Sequence, residues 1–184
     1  MLRPLLKIDA PAGLNLPGRG FYQLEEDVLQ VQAGCFPDSR RFFSFLESDS
    51  VRFDIDRSGR LIMIEVTVPR RNWTTVEDLK PPTIAERADV RWLDFRTSVQ
   101  EPTLLTNRSR DRLLIRFTDA TSWRWYTVAD SLFLQVDNNC RLAAVMVTGI
   151  VDDFAGRHLA RFRRQVSATP EEPILERQPA AISG

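Results

Sequence analysis

Apolar and polar residues alternate with a period of two along most of the chain. The clearest run is Val51-Arg52-Phe53-Asp54-Ile55-Asp56, in which Val51, Phe53 and Ile55 share one face of an extended strand. Similar short runs occupy 21–24, 28–32, 41–46 and 61–68. They recur at 103–106, 112–117, 123–128, 131–136 and 142–148. Turn residues separate them: Gly34 with Pro37, Arg57-Ser58-Gly59, Pro69, and the polar stretch 107–111. Gly59 is placed to supply the left-handed residue of a short hairpin loop. The pattern predicts antiparallel β-meanders.

The pattern also repeats. Asp49–Val66, DSVRFDIDRSGRLIMIEV, aligns without a gap over 18 residues with Asp130–Val147, DSLFLQVDNNCRLAAVMV, 81 positions later. Six pairs are identical: Asp49/Asp130, Ser50/Ser131, Asp56/Asp137, Arg60/Arg141, Leu61/Leu142 and Val66/Val147. Such periodicity is a statement about architecture. One meander of this size cannot cover its own apolar face, whereas two can cover each other. The expected fold is therefore mainly β, with modules at 20–69 and 103–150 packed as a pseudo-twofold sandwich or barrel-like unit.

The remaining segments frame these modules. Residues 1–19 hold three of the eleven prolines and read as an irregular arm. Residues 70–102 form a bridge. In it, Thr74-x-x-Glu77 has the spacing of a capping box, Pro81-Pro82 limits any helix to a turn or two, and Val90–Arg96 reads as a strand. From Val151 the period changes. Ala155, Leu159, Phe162 and Val166 fall on one helical stripe opposite Arg157, Arg161 and Arg164. This predicts an amphipathic helix over 151–166, with Asp152 as N-cap. Residues 167–184 are proline-rich and aperiodic, and read as a flexible tail.

Composition narrows the function. The 184 residues carry zero net charge, so no global field draws the chain to nucleic acid or an anionic membrane. No apolar run approaches the length of a membrane span, and none has signal-peptide form. A cytoplasmic, soluble protein is expected. Cys35 and Cys140 have no metal-type neighbours, which fits a reducing compartment. Lys7 and Lys80 are the only lysines; the arginine bias is read as base composition rather than as a phosphate site.

Two stretches carry candidate chemistry. Asp54-x-Asp56-x-Ser58-Gly59-x-Leu61-x-x-x-Glu65 satisfies the spacing of an EF-hand calcium loop, which would make Asp54, Asp56, Ser58 and Glu65 metal ligands. An EF-hand loop joins two helices, however, and both flanks here alternate with period two. The second copy also places Gln135, Cys140 and Met146 where ligands or glycine are needed. A hairpin turn is the preferred reading. The cluster Trp123-Arg124-Trp125-Tyr126 could form a ligand-stacking platform; its counterpart Phe42-Phe43-Ser44-Phe45 is equally aromatic, which favours shared core packing. Catalysis gains little support. His158 is the only histidine, and neither a nucleophile elbow nor a Gly-rich phosphate loop is present.

The core Asp54-Ile55-Asp56-Arg57-Ser58-Gly59-Arg60-Leu61-Ile62-Met63-Ile64-Glu65 resembles a family of small bacterial domains of unknown function, family 2283, whose members share an Asp-x-Asp-x-x-Gly-Arg-Leu-x-x-Ile-Glu turn and strand. The resemblance covers about 20–68, with 103–148 as a worn second copy lacking the Gly and Glu. It implies an all-β module and carries over no activity and no catalytic residue. The expected function is a non-catalytic interaction or binding module without a cofactor, whose partner is another protein or a second copy of the chain. The alternative is a small-ligand or metal-binding regulator that uses the aromatic cluster or the Asp54–Glu65 loop.

Overall fold

The structure is a computed structural model. It describes residues 2–11, 13, 15–34, 42–119 and 122–167. Among these residues sixteen strands and one α-helix follow in order: β1 (Leu6–Asp9), β2 (Gly18–Gln23), β3 (Val28–Ala33), β4 (Ser44–Glu47), β5 (Val51–Ile55), β6 (Leu61–Val66), β7 (Thr74–Thr75), β8 (Glu86–Arg87), β9 (Asp89–Trp92), β10 (Thr97–Ser98), β11 (Thr103–Thr106), β12 (Leu113–Arg116), β13 (Trp123–Ala129), β14 (Leu132–Asp137), β15 (Leu142–Val147), β16 (Val151–Asp153) and α1 (Arg157–Ser167). The fold is mainly β, as the alternation predicts.

Two seven-stranded sheets hold most of the chain, in the orders β10-β4-β5-β6-β3-β2-β16 and β7-β11-β12-β15-β14-β13-β8. Stripped of their edge strands, both sheets read third-fourth-fifth-second-first in the order of their own five strands. This corrects the simple meander, because the fifth strand of each half returns to pair with the second rather than ending at an edge. The repeated 18 residues fall on the same piece of both sheets, namely the fourth strand, its turn and the fifth strand. Neither sheet closes on itself, so the sandwich is the form adopted and the barrel is not.

The edge strands cross between halves. β7 follows the first five strands, yet pairs in parallel with β11 of the other sheet. β16 follows the second five and pairs in parallel with β2 of the first sheet. The leading strands do the same. β1 and β9 pair with each other, Leu6 opposite Trp92, and each docks on the turn of the opposite half: Leu6 N–H donates to the Cys140 carbonyl at 2.8 Å, and Trp92 N–H to the Gly59 carbonyl at 2.7 Å. Residues 1–19 are thus not the irregular arm expected, since a paired strand begins at Leu6 and β2 begins at Gly18.

The inner faces form one core. Phe53, Ile55, Ile64, Leu113, Ile115 and Leu134 are fully buried. The Phe53 ring touches both Trp92 and Phe117, with centroids 6.2 and 6.1 Å apart, tying β9 and the second sheet to the first. A Cβ at Gly18 would lie 2.5 Å from the Asp130 carbonyl oxygen, so only glycine admits this close approach.

Two helical expectations change. Thr74-Thr75 is strand β7 rather than the start of a helix, and a 3-10 turn at Arg70–Asn72 precedes it. Parallel pairing with β11, continued by Val76 N–H donating to the Thr106 carbonyl at 2.8 Å, keeps this stretch extended where a capping box would begin a helix. At the C-terminus, Val151–Asp153 is a strand and the helix begins at Arg157. Its cap is Asp153 rather than Asp152: the buried Asp153 carboxylate accepts from His158 N–H at 2.8 Å and Leu159 N–H at 3.1 Å. Leu159 and Val166 are buried as the stripe predicts, whereas Ala155 lies before the helix and is exposed. Phe162 meets Phe21 on the outer side of the first sheet, centroids 5.4 Å apart. The expected tail, apart from Ser167, and Cys35 lie outside the described residues.

Candidate functional site

The turn between β5 and β6 is organised by one carboxylate. Asp56 Oδ1 accepts from Ser58 N–H, Ser58 Oγ–H and Arg60 N–H at 2.8, 2.8 and 2.9 Å. Asp137 Oδ1 repeats this in the other half, accepting from Asn139 N–H and Arg141 N–H at 2.9 and 3.0 Å. The backbone agrees as well. Gly59 N–H donates to the Asp56 carbonyl and Cys140 N–H to the Asp137 carbonyl, both at 3.0 Å. The shared aspartates are turn formers. Burial would raise the Asp137 carboxyl, but the amides of Arg141 and Asn139 and the Arg3 guanidinium outweigh it and hold it below the usual range.

The four EF-hand positions are therefore not drawn around one point. Asp56 and Ser58 meet in the turn. Asp54 bonds Arg52 Nε at 2.8 Å on the outer face of the first sheet. Glu65 lies further along β6, opposite Arg52 in the strand register, while Asp54 faces Met63. Among the described residues no group of three or more His, Cys, Asp or Glu side chains is placed to hold a metal ion.

Strand alternation also splits the second cluster. Trp123 and Trp125 face outward as an edge-to-face pair, centroids 6.1 Å apart, and Trp123 is 45% exposed. Tyr126 faces inward and packs against the core, while Arg124 is exposed. The core packing expected for this cluster and for its counterpart holds only for Tyr126 and the buried Ser44.

The counterpart forms the more developed surface. Phe42 and Phe43 lead into β4 and are 54% and 42% exposed; Leu93 and Phe95, just past β9, are 47% and 41% exposed. Phe43 and Phe95 meet edge to face at 6.0 Å. Arginines cover this aromatic corner. Arg52 lies 4.4 Å from the Phe45 ring centre and 5.7 Å from that of Phe42, and Arg57 lies 5.6 Å from that of Phe43. Arg52 is further held by Asp54, whose hydrogen bond pushes its pKa up. Arg57 and Arg96 are solvent-facing cations that make no ion pair with a described residue. Backbone links fix the corner: Phe43 N–H donates to the Ile55 carbonyl at 2.9 Å, and Arg96 N–H to Ser44 Oγ at 3.2 Å.

The Phe-rich run at 42–45 was visible in the sequence. Its partner Phe95 was not, because only the docking of β9 on the Gly59 turn brings it there. The one signal was VRWLDFR itself, where strict alternation breaks after Trp92 and sends Phe95 outward.

No helix among the described residues is long and apolar enough to cross a membrane. No protein-family model matches the chain, and no curated protein shows significant similarity to it.

Proposed function

We propose that this protein is a non-catalytic interaction module that captures an acidic, apolar segment of another protein on the aromatic corner around Phe43 and Phe95. The observation that carries this is the exposed ring contact of Phe43 with Phe95, beside an equally exposed Phe42, with Arg52 over Phe42 and Arg57 over Phe43. Scattered exposed apolar residues need no explanation, but a contiguous group rimmed by polar ones marks an interaction site. Aromatic and arginine side chains are the types that dominate binding energy. Charge selects the partner. Arg57 and Arg96 make no ion pair with a described residue, and Arg40 and Arg41 directly precede Phe42 in the chain, so carboxylates beside Leu or Phe side chains complement the surface.

Selection from a displayed random peptide library tests this. Enriched peptides are expected to combine Asp or Glu with large apolar residues, and to lose about tenfold or more in affinity on Phe43→Ala or Phe95→Ala, with an unchanged circular dichroism spectrum. Peptides indifferent to both substitutions would refute the assignment. So would concentration-dependent self-association in light scattering that Phe43→Ala abolishes, since that outcome makes a second copy the occupant.

A further inference from the structure

Helix α1 runs along the outer face of the first sheet toward the end that carries the aromatic corner. It starts beside the last residue of β2, where Gln23 Nε2 donates to Asp153 at 3.1 Å. Phe162 then lies on Phe21, and Arg163 Nε donates to Gln32 Oε1 at 3.2 Å. Gln32 pairs with Arg19, near the opposite end of β2. At that same end β5 stops at Ile55, and Phe43 enters β4 by donating to the Ile55 carbonyl. From Gln32 the register crosses the sheet through Met63 and Asp54 to Phe45. That is three strand spacings, about 14 Å. Seven residues separate Ser167, the end of α1, from Ile174, and they span up to about 23 Å. The chain beyond the helix can therefore reach the corner.

Its chemistry matches as well. Glu171-Glu172-Pro173-Ile174-Leu175-Glu176 sets three carboxylates around two large aliphatic side chains, the combination that the corner is read above to accept. Arg57 and Arg96 beside the corner make no ion pair with a described residue, and Phe42, Phe43 and Phe95 are exposed there. We propose that residues 171–176 of the same chain occupy the aromatic corner, with Ile174 and Leu175 on the phenylalanine rings and the glutamates on Arg57 and Arg96. This rests on the reading of the corner as a capture surface and adds its regulation. A tethered segment meets its site at an effective concentration in the millimolar range, so weak contacts suffice to hold it. The segment is then a built-in competitor that a partner must displace, and it sets a threshold of affinity for capture.

The test compares the full chain with its Ile174→Ser, Leu175→Ser double variant in backbone nitrogen–proton spectra. The amides of Phe43, Arg57, Phe95 and Arg96 are expected to shift between the two, at every protein concentration, while those of the second sheet stay fixed. The probe is a synthetic peptide of residues 169–178. It is expected to return the corner amides of the variant toward their original positions, and to bind the variant about fivefold or more tighter than the unaltered chain, whose own segment competes. Identical corner amides in the two proteins overturn the proposal, as does equal affinity of the peptide for both. A difference that vanishes on dilution overturns it too, since the segment then comes from a second copy. Library-selected peptides separate the two readings. If they bind at Phe43 and Phe95 while the 169–178 peptide does not, only the assignment of this segment fails. If neither binds, the capture surface fails with it.

Discussion

Replacing Gly59 by alanine tests the way the leading strands clamp the two turns. Gly59 has φ +79°, and a Cβ there would sit 2.3 Å from the Trp92 carbonyl oxygen. A side chain in the left-handed region costs about 1–2 kcal/mol. Relieving the overlap requires β9 to back away, which forfeits the Trp92 N–H to Gly59 bond, worth about 1 kcal/mol, and loosens the packing of Trp92 on Phe53. Reduced freedom of the unfolded chain returns about 0.4–1 kcal/mol. The net expected loss is about 2–4 kcal/mol, the upper part from unpacking Trp92. Cys140 is the built-in control. It occupies the same turn position at φ +57°, its carbonyl receives Leu6 in the same way, and it already carries an exposed side chain. Cys140→Ala is therefore expected to change stability by less than about 0.5 kcal/mol. Urea denaturation at constant slope measures both variants. If Gly59→Ala costs no more than Cys140→Ala, the docking of β9 on this turn is not what demands glycine, and the reasoning fails.

Other outcomes follow from the turns, the helix and the carboxylates. Asp56→Ala and Asp137→Ala should each cost about 1–3 kcal/mol in urea melts, because the donors of each turn lose their common acceptor; Asp56→Asn, which keeps one oxygen, should cost less. Asp153→Ala should destabilise the chain by about 2 kcal/mol and speed amide exchange at His158 and Leu159, whereas Asp152→Ala should leave both rates unchanged. Acid should destabilise the fold through Asp89. Its hydrogen bonds from Arg60 hold the folded carboxyl below its usual range, so the unfolded chain binds more protons as pH falls. That contribution is complete above the unfolded value of about 4 and disappears as pH drops through the folded one. Arg60→Gln should flatten the fall in urea midpoint between neutral and acid pH; an unchanged profile would show that Asp89 contributes nothing to it.

What the sequence disclosed depended on the length of the signal. Val51–Val66 and Leu132–Val147 announced themselves by alternation and by repeating, and these strands form the middle of both sheets. The strands β7, β8 and β10 are two residues each, too short for any period. β1 was hidden among prolines. None of these has a local reason to be extended; each is extended because a partner from the other half is there. Asp153 replaced Asp152 as cap because pairing of β16 with β2 delays the helix. For the aromatic corner, composition showed one half of the surface and tertiary docking supplied the other.

The crossing of edge strands also sets a timetable for synthesis. When Val66 leaves the ribosome, all five central strands of the first sheet exist, yet one edge of that sheet still lacks β16, which lies some 85 residues further along the chain. Its other edge waits for β10. Until then β2 and β4 present unpaired backbone groups, the kind of edge that recruits foreign strands, and the inner face has no second sheet to cover it. Such long-range pairing slows folding and prolongs exposure of an incomplete product. Neither half can finish before the other, so the chain must be protected as a whole during its making, and cutting it between the halves should yield two sticky fragments rather than two small domains.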